Sequence, residues 1–261
     1  MEEVYKVRNY LNPSEKKLSF TEKIQQSFNF GVKGIPKEHQ ITDYDRSYGI
    51  QKIFDLHAKK DYKPETLFIA QGIFDRYLYM TGVENVPKTE VVSLSVISML
   101  MSAKLEQPIS PSFARMINLL TDEEKALTSK AKLIDLESRI LIVLGFDFNF
   151  PGPIQFLERY LRILDYDQNK TIFDMSFQIC KFQLNDSSFL NHHPSKVAAS
   201  SLILAINIFE WDFEKRGKST KNFFGNCKRN GALVGMNLDI WNNENVQRLT
   251  GYSMEDIKEC L

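Results

Sequence analysis

The chain has 261 residues, 43% of them hydrophobic and 25% charged, enough to bury one large core or two small ones, and a composition that excludes wholesale disorder. Lysine plus arginine (33) equals aspartate plus glutamate (33), so the basic excess needed to coat nucleic acid or an anionic membrane is absent. Three widely spaced cysteines, Cys180, Cys227 and Cys260, make no disulfide framework and point to a reducing, intracellular compartment, with nucleus and cytoplasm both open.

In chain order, residues 1–40 read as an arm: an amphipathic turn around Tyr5–Leu11, a polar helix over Ser14–Phe28, then a linker through Gly34 and Pro36. The opening Met-Glu-Glu-Val-Tyr lacks the apolar core of a secretory signal. Thr42 or Asp43 caps a helix over 44–59, and Pro64 opens a second with apolar Leu67, Ile73, Phe74 and Leu78 at helical spacing. A third covers 88–106, ending before Pro108; its greasy stretch 91–103 is interrupted by serines and falls short of the roughly 20 residues of a membrane span. A short helix follows over 111–117. A fifth, introduced by Thr121-Asp122-Glu123-Glu124, is expected to run unbroken to Leu144 and stop at Gly145. Residues 146–153, with two prolines and a glycine, read as an interdomain linker.

Beyond that linker the pattern restarts. Ile50-Gln51 returns as Ile154-Gln155, Thr66-Leu67-Phe68 as Thr171-Ile172-Phe173, and 91–100 aligns on 197–206, all at nearly the same offset. Agreement among the offsets points to a duplicated all-α unit, with domains at 41–150 and 151–261.

Catalytic signatures are missing: no Gly-rich phosphate loop with its lysine and no kinase motif. His192-His193 has no third metal ligand at helical spacing. An enzyme, a metal site and a cofactor are therefore not expected. The anomaly lies in charges on apolar faces. At 100° per residue Leu133, Ile140 and Leu144 fall within about 40° of one another with Glu137 on the same arc, and Lys104 extends the face of Ile97, Leu100 and Met101. Two readings stand side by side: Lys104 snorkels while Glu137 pairs inside the fold, or both belong to a patch that another protein covers.

The sequence resembles a cyclin over about residues 40–208, and the A/B-type mitotic cyclins in particular. The segments that carry the resemblance are 41–46, 65–70, 73–78, 102–106, 136–137 and 144–148. The most specific is Asn149-Phe150-Pro151-Gly152-Pro153-Ile154-Gln155-Phe156-Leu157-Glu158-Arg159-Tyr160-Leu161. Phe189-Leu190, Pro194-Ser195 and the ending from Leu249 also fit the family. The resemblance implies two tandem five-helix bundles after an N-terminal helical arm, and a non-catalytic subunit that binds and activates a cyclin-dependent kinase by packing on its αC helix. It implies that Arg46 and Asp75 form an internal ion pair and that Lys104 and Glu137 contact the kinase. Helix geometry adds Leu105, Phe113 and Ile140 as apolar neighbours.

The family's substrate-docking patch, Met-Arg-Ala-Ile-Leu and then Trp, aligns with a stretch that keeps only its arginine: Asp45, Arg46, Tyr48, Gly49 and Lys52, with Asp55 in the place of an acidic patch residue. Docking of an Arg-x-Leu substrate motif is expected to be weak or absent. Ser93 replaces a leucine of the third helix, and Leu105 an aromatic. Arg8-Asn9-Tyr10-Leu11 fits a minimal destruction box, and the basic stretch 215–229 reads as a solvated insertion or a docking surface for an acidic partner. The rival to kinase activation is a cyclin-fold adaptor within a larger assembly. A DNA-binding cyclin fold is disfavoured by zero net charge, and neither a nucleic-acid nor a membrane partner is expected.

Overall fold

The computed structural model describes residues 41–148, 150–215, 247 and 250–258. The expected arm, its destruction-box pattern, the basic stretch beyond Lys215, Cys227 and Cys260 lie outside the described residues. No β-strand occurs among those described.

The first domain begins with α1 (Asp43–Lys60). Thr42 caps it reciprocally: its hydroxyl accepts from the Asp45 N–H (3.3 Å), while its own N–H donates to the Asp45 carboxylate (2.8 Å). Helix α2 (Pro64–Thr81) starts on a proline whose missing N–H costs nothing there, and stops at Gly82, φ +84°. Helix α3 (Val91–Glu106) is buried all round from Val91 to Ala103, which makes it the axis of the domain, packed by α1, α2 and α6. Three of its four serines are satisfied inside the fold: Ser95 donates to the carbonyls of Val91 and Gly49 (2.9 Å each), Ser102 to the Thr66 carbonyl, and Ser93 pairs with Thr128 (2.6 Å), whereas the buried Ser98 hydroxyl has no partner.

Two short helices follow, α4 (Phe113–Ile117) and α5 (Asp122–Leu127), then α6 (Lys130–Val143). The continuous fifth helix expected from Thr121 to Leu144 is thus broken in two. Thr128 and Ser129 are extended; Thr128 turns its hydroxyl to Ser93, and Ser129 caps α6 by accepting from the Lys132 N–H (3.2 Å). The Thr128–Ser93 hydrogen bond and the Ser129 cap together outweigh two residues of helix propagation. Among the described residues the first domain accordingly shows six α-helices rather than five.

After Gly145 and Phe146, both at positive φ, the chain crosses to α7 (Pro153–Ile163), α8 (Lys170–Asn185) and α9 (Pro194–Lys215); α10 (Met254–Lys258) packs on α9. The repeat is real in three dimensions: α9 is flanked by α7 and α8 as α3 is by α1 and α2. The cores meet along a seam. Phe68 of α2 belongs to the second core, and Phe177 of α8 packs against both, edge-on to Phe68 (5.8 Å between centroids). Phe150 lies so close over Gly72 that a Cβ there would come within 2.1 Å of its ring, and Arg76 covers that ring at 4.6 Å.

Candidate partner-binding site

Three of the residues expected at a partner surface meet at the end of α3. Lys104 Nζ donates to Glu137 Oε1 of α6 (2.6 Å) and stands 5.3 Å from the Phe113 ring of α4. Both charges remain accessible, with side-chain exposures of 38% for Lys104 and 19% for Glu137. The two charges thus pair with each other, and they do so at the surface. Leu105 (53% exposed), next to Lys104 in the chain, and Ile109 (78%), in the segment after α3, are exposed apolar side chains. Ile140 does not line this surface. Placed there by its position on α6, it is fully buried in the first core and supports the site from beneath. Ile109 was not identified from the sequence, because the break at Pro108 marked it only as loop.

The α1 stretch forms a second, separate surface. Arg46 is not on it: the guanidinium is fully buried, bidentate to Asp75 of α2 through Nε (2.8 Å) and Nη2 (2.9 Å). Nη2 and Nη1 also donate to the carbonyls of Leu184 and Asn185 (3.1 Å each), so one arginine satisfies the last carbonyls of α8 and ties the two domains. Gln71 donates to Asp75 as well (3.0 Å). Gly49 is buried, and a Cβ there would come within 2.5 Å of the Phe74 ring. Asp45 completes the α1 capping box with Thr42 and lies 3.6 Å from Lys88.

Tyr48 and Lys52 converge on a residue absent from the expected patch, Glu124 of α5. Its Oε1 accepts from the Tyr48 hydroxyl (3.0 Å) and from Lys52 (2.5 Å), and its other oxygen from the Thr121 N–H (3.0 Å). Burial opposes ionisation of Glu124, but the hydrogen bonds from Lys52, Thr121 and Tyr48 outweigh it and hold the carboxyl below its ordinary pKa. Asp55 accepts from Gln51 (3.0 Å) and lies 4.0 Å from Lys52. The only sequence signal for Glu124 was its capping-box spacing from Thr121, which says nothing of its reach to α1.

Elsewhere, His193 caps α9 rather than lining a metal site: its Nδ1 accepts from the Ser195 N–H (3.3 Å) and contacts the Ser195 hydroxyl, which in turn meets Tyr252 OH (2.5 Å). Burial lowers its pKa. Among the described residues no three His, Cys, Asp or Glu side chains converge on a metal-sized site, and no helix is long and apolar enough to cross a membrane. Burial pushes the Cys180 thiol up to about 12, which leaves it unreactive at neutral pH.

Residues 17–149 match the family model described as cyclin, N-terminal domain, and residues 151–261 match cyclin, C-terminal domain. The first match begins inside the segment read as an arm. The G2/mitotic-specific cyclin CLB2 of Candida albicans is 26% identical over 83% of this chain, and mouse G2/mitotic-specific cyclin-B3 is 28% identical over 77%. The chain spans 37% of the Candida protein and 13% of the mouse one. Among solved structures, a viral cyclin from herpesvirus saimiri superposes with a TM-score of 0.59 at 13% identity, over 93% of this chain and 97% of the viral one.

Proposed function

Because the chain belongs to the cyclin family, we propose that it is a regulatory subunit that binds and activates a cyclin-dependent kinase by packing on the kinase αC helix. The observation that carries this reading is the exposed Lys104–Glu137 pair seated beside Phe113, with the exposed Leu105 adjacent to Lys104 in the chain. A preformed donor and acceptor on an apolar platform suit the backbone groups of a partner helix, fixing its orientation while burial of the aliphatic groups supplies affinity. Activation in this scheme is conformational. Contacts made only with the inward αC state shift the kinase toward the arrangement in which its own Lys–Glu pair forms. No residue of this chain takes part in phosphoryl transfer.

A second reading, an adaptor in a larger assembly without kinase activation, is favoured by the polar character of the α1 surface, where Glu124 engages Lys52 and Tyr48. One experiment separates the two. Since Lys104 and Glu137 pair with each other, exchanging them (Lys104→Glu with Glu137→Lys) preserves the internal ion pair and reverses its polarity toward a partner. An exposed pair contributes at most about 1 kcal/mol, so the fold should tolerate the exchange. Affinity purification of the wild-type chain should bring down a cyclin-dependent kinase one-to-one with kinase activity, and the exchanged variant should lose both. Kinase capture unaffected by the exchange, or no kinase with the wild type, would reject the activator reading.

A further inference from the structure

Between α3 and α4 the chain presents a short segment with no hydrogen-bonded structure of its own. It is fastened at both ends. Gln107 donates from its N–H to the Ala103 carbonyl (3.0 Å) and from its side chain to Thr66 Oγ1 (2.6 Å). Ser112 accepts from the Arg115 N–H on its hydroxyl (3.3 Å) and from the Met116 N–H on its carbonyl (3.1 Å). Between these anchors Pro108, Ile109 and Ser110 are exposed, Pro111 is buried, and none of the four makes a hydrogen bond among the described residues. A residue before proline is biased toward extended backbone, and proline has no N–H to satisfy. Of the nine prolines in the chain only Pro111 follows a serine or threonine, and Pro108 stands two positions before that serine, giving Pro-x-Ser-Pro.

We propose that Ser110 is a phosphorylation site for a proline-directed protein kinase of the class that takes Pro-x-Ser-Pro, and that the phosphate weakens the partner surface beside it. An exposed serine on extended backbone, with no competing hydrogen bonds, enters a kinase cleft without unfolding a helix. No basic residue follows until Arg115, so kinases that need one close behind the proline are not served. In the transfer Ser110 Oγ attacks the γ-phosphorus of ATP, the bond to the β,γ-bridging oxygen breaks, ADP leaves, and the serine proton passes to a base of the modifying kinase. The product carries about −1.5 to −2 charge. Ser110 precedes Phe113 by three residues, at most about 11 Å of chain, and the Phe113 ring stands 5.3 Å from Lys104 Nζ. Charges act over a screening length of about 8–10 Å, so the phosphate draws on Lys104 and sets negative charge next to the Lys104–Glu137 pair. This second half rests on the proposed function, in which that pair meets the partner kinase; the phosphorylation site does not.

The test treats the full chain with ATP and a mitogen-activated protein kinase as the proline-directed enzyme. Intact mass should show one phosphate, and fragmentation should place it on Ser110. Ser110→Ala should take up none, and Pro108→Ala, a change at an exposed side chain, should be labelled several-fold more slowly. No incorporation, incorporation elsewhere, or labelling of a free 104–115 peptide but not of the folded chain overturns the site. The phosphorylated and unmodified chains are then compared for capture of a cyclin-dependent kinase, with Ser110→Ala taken through the same treatment. Phosphorylation should weaken capture about tenfold, the scale of one lost charged hydrogen bond, and the treated Ser110→Ala chain should capture as the unmodified chain does. Equal capture with and without the phosphate overturns the regulatory half. If the unmodified chain captures no kinase, the regulatory half falls with the activator reading, while the mass data still decide the site.

Discussion

Replacing Arg46 by methionine removes a fully buried guanidinium that makes four hydrogen bonds, while keeping much of its aliphatic volume. The carboxylate of Asp75 is left buried with Gln71 as its remaining side-chain donor, and the carbonyls of Leu184 and Asn185 lose a charged donor at the end of α8. Breaking a buried ion pair from one side costs about 3–5 kcal/mol, chiefly because the other charge stays buried and unpaired. Against a total stability on the order of 5–15 kcal/mol this is a large fraction, and it corresponds to a fall in Tm of about 10 °C for a chain of this size. Urea unfolding followed by circular dichroism would measure it in Arg46→Met, in Asp75→Leu and in the double variant. The double variant should recover more than half of the loss, giving a coupling energy of about 2 kcal/mol or more; full recovery is not expected, because the α8 carbonyls still lack their donor. A loss below about 1 kcal/mol in Arg46→Met, or losses that simply add in the double variant, would refute this account of the pair.

Glu124 titrates below its ordinary value near 4.5, so its stabilising contribution is complete above that pH and disappears as pH falls through the lower folded value. The stability difference between wild type and Glu124→Gln, from urea midpoints at a series of pH values, should therefore be present at pH 6 and shrink steadily as pH falls below 4.5. His193 is also depressed, from 6.5; burial favours its neutral form, which accepts from the Ser195 N–H. Its contribution is complete above 6.5 and is lost as pH falls through the folded pKa; an NMR titration of the imidazole should show a midpoint below 6.5, and a normal midpoint would contradict its burial. Gly72→Ala would drive a methyl group into the Phe150 ring held by Arg76, and should destabilise by about 1–3 kcal/mol in the same denaturation assay.

Much of the fold was legible because it is written in periodicity and punctuation. Helical spacing with Pro64 and Gly145 marked the helices, and the recurrence of 91–100 at 197–206 marked the two axial helices. The split between α5 and α6 was not legible, because Thr128 and Ser129 are tolerable in a helix and the Ser93 hydroxyl that holds Thr128 extended lies far away in the sequence. At the site, the helical wheel found Lys104 and Glu137 on apolar faces but not that they face each other from different helices. Ile140 shows the converse limit: sharing an arc with Glu137 places a residue on a helix, whereas depth is fixed by the neighbouring helices. The interdomain hydrogen bonds of Arg46 span more than a hundred residues, beyond any local pattern.

The seam between the two cores has a thermodynamic consequence for any protein that touches both domains. Phe68 lent to the second core, Phe177 packed on both, and Phe150 seated over Gly72 leave little freedom for one bundle to swing against the other. A partner bridging the pair would meet a ruler of fixed span, with the orientational entropy of two linked bodies already lost during folding rather than at association. Affinity for such a partner would then respond to changes in the seam, far from any contact, as readily as to changes at the surface it touches.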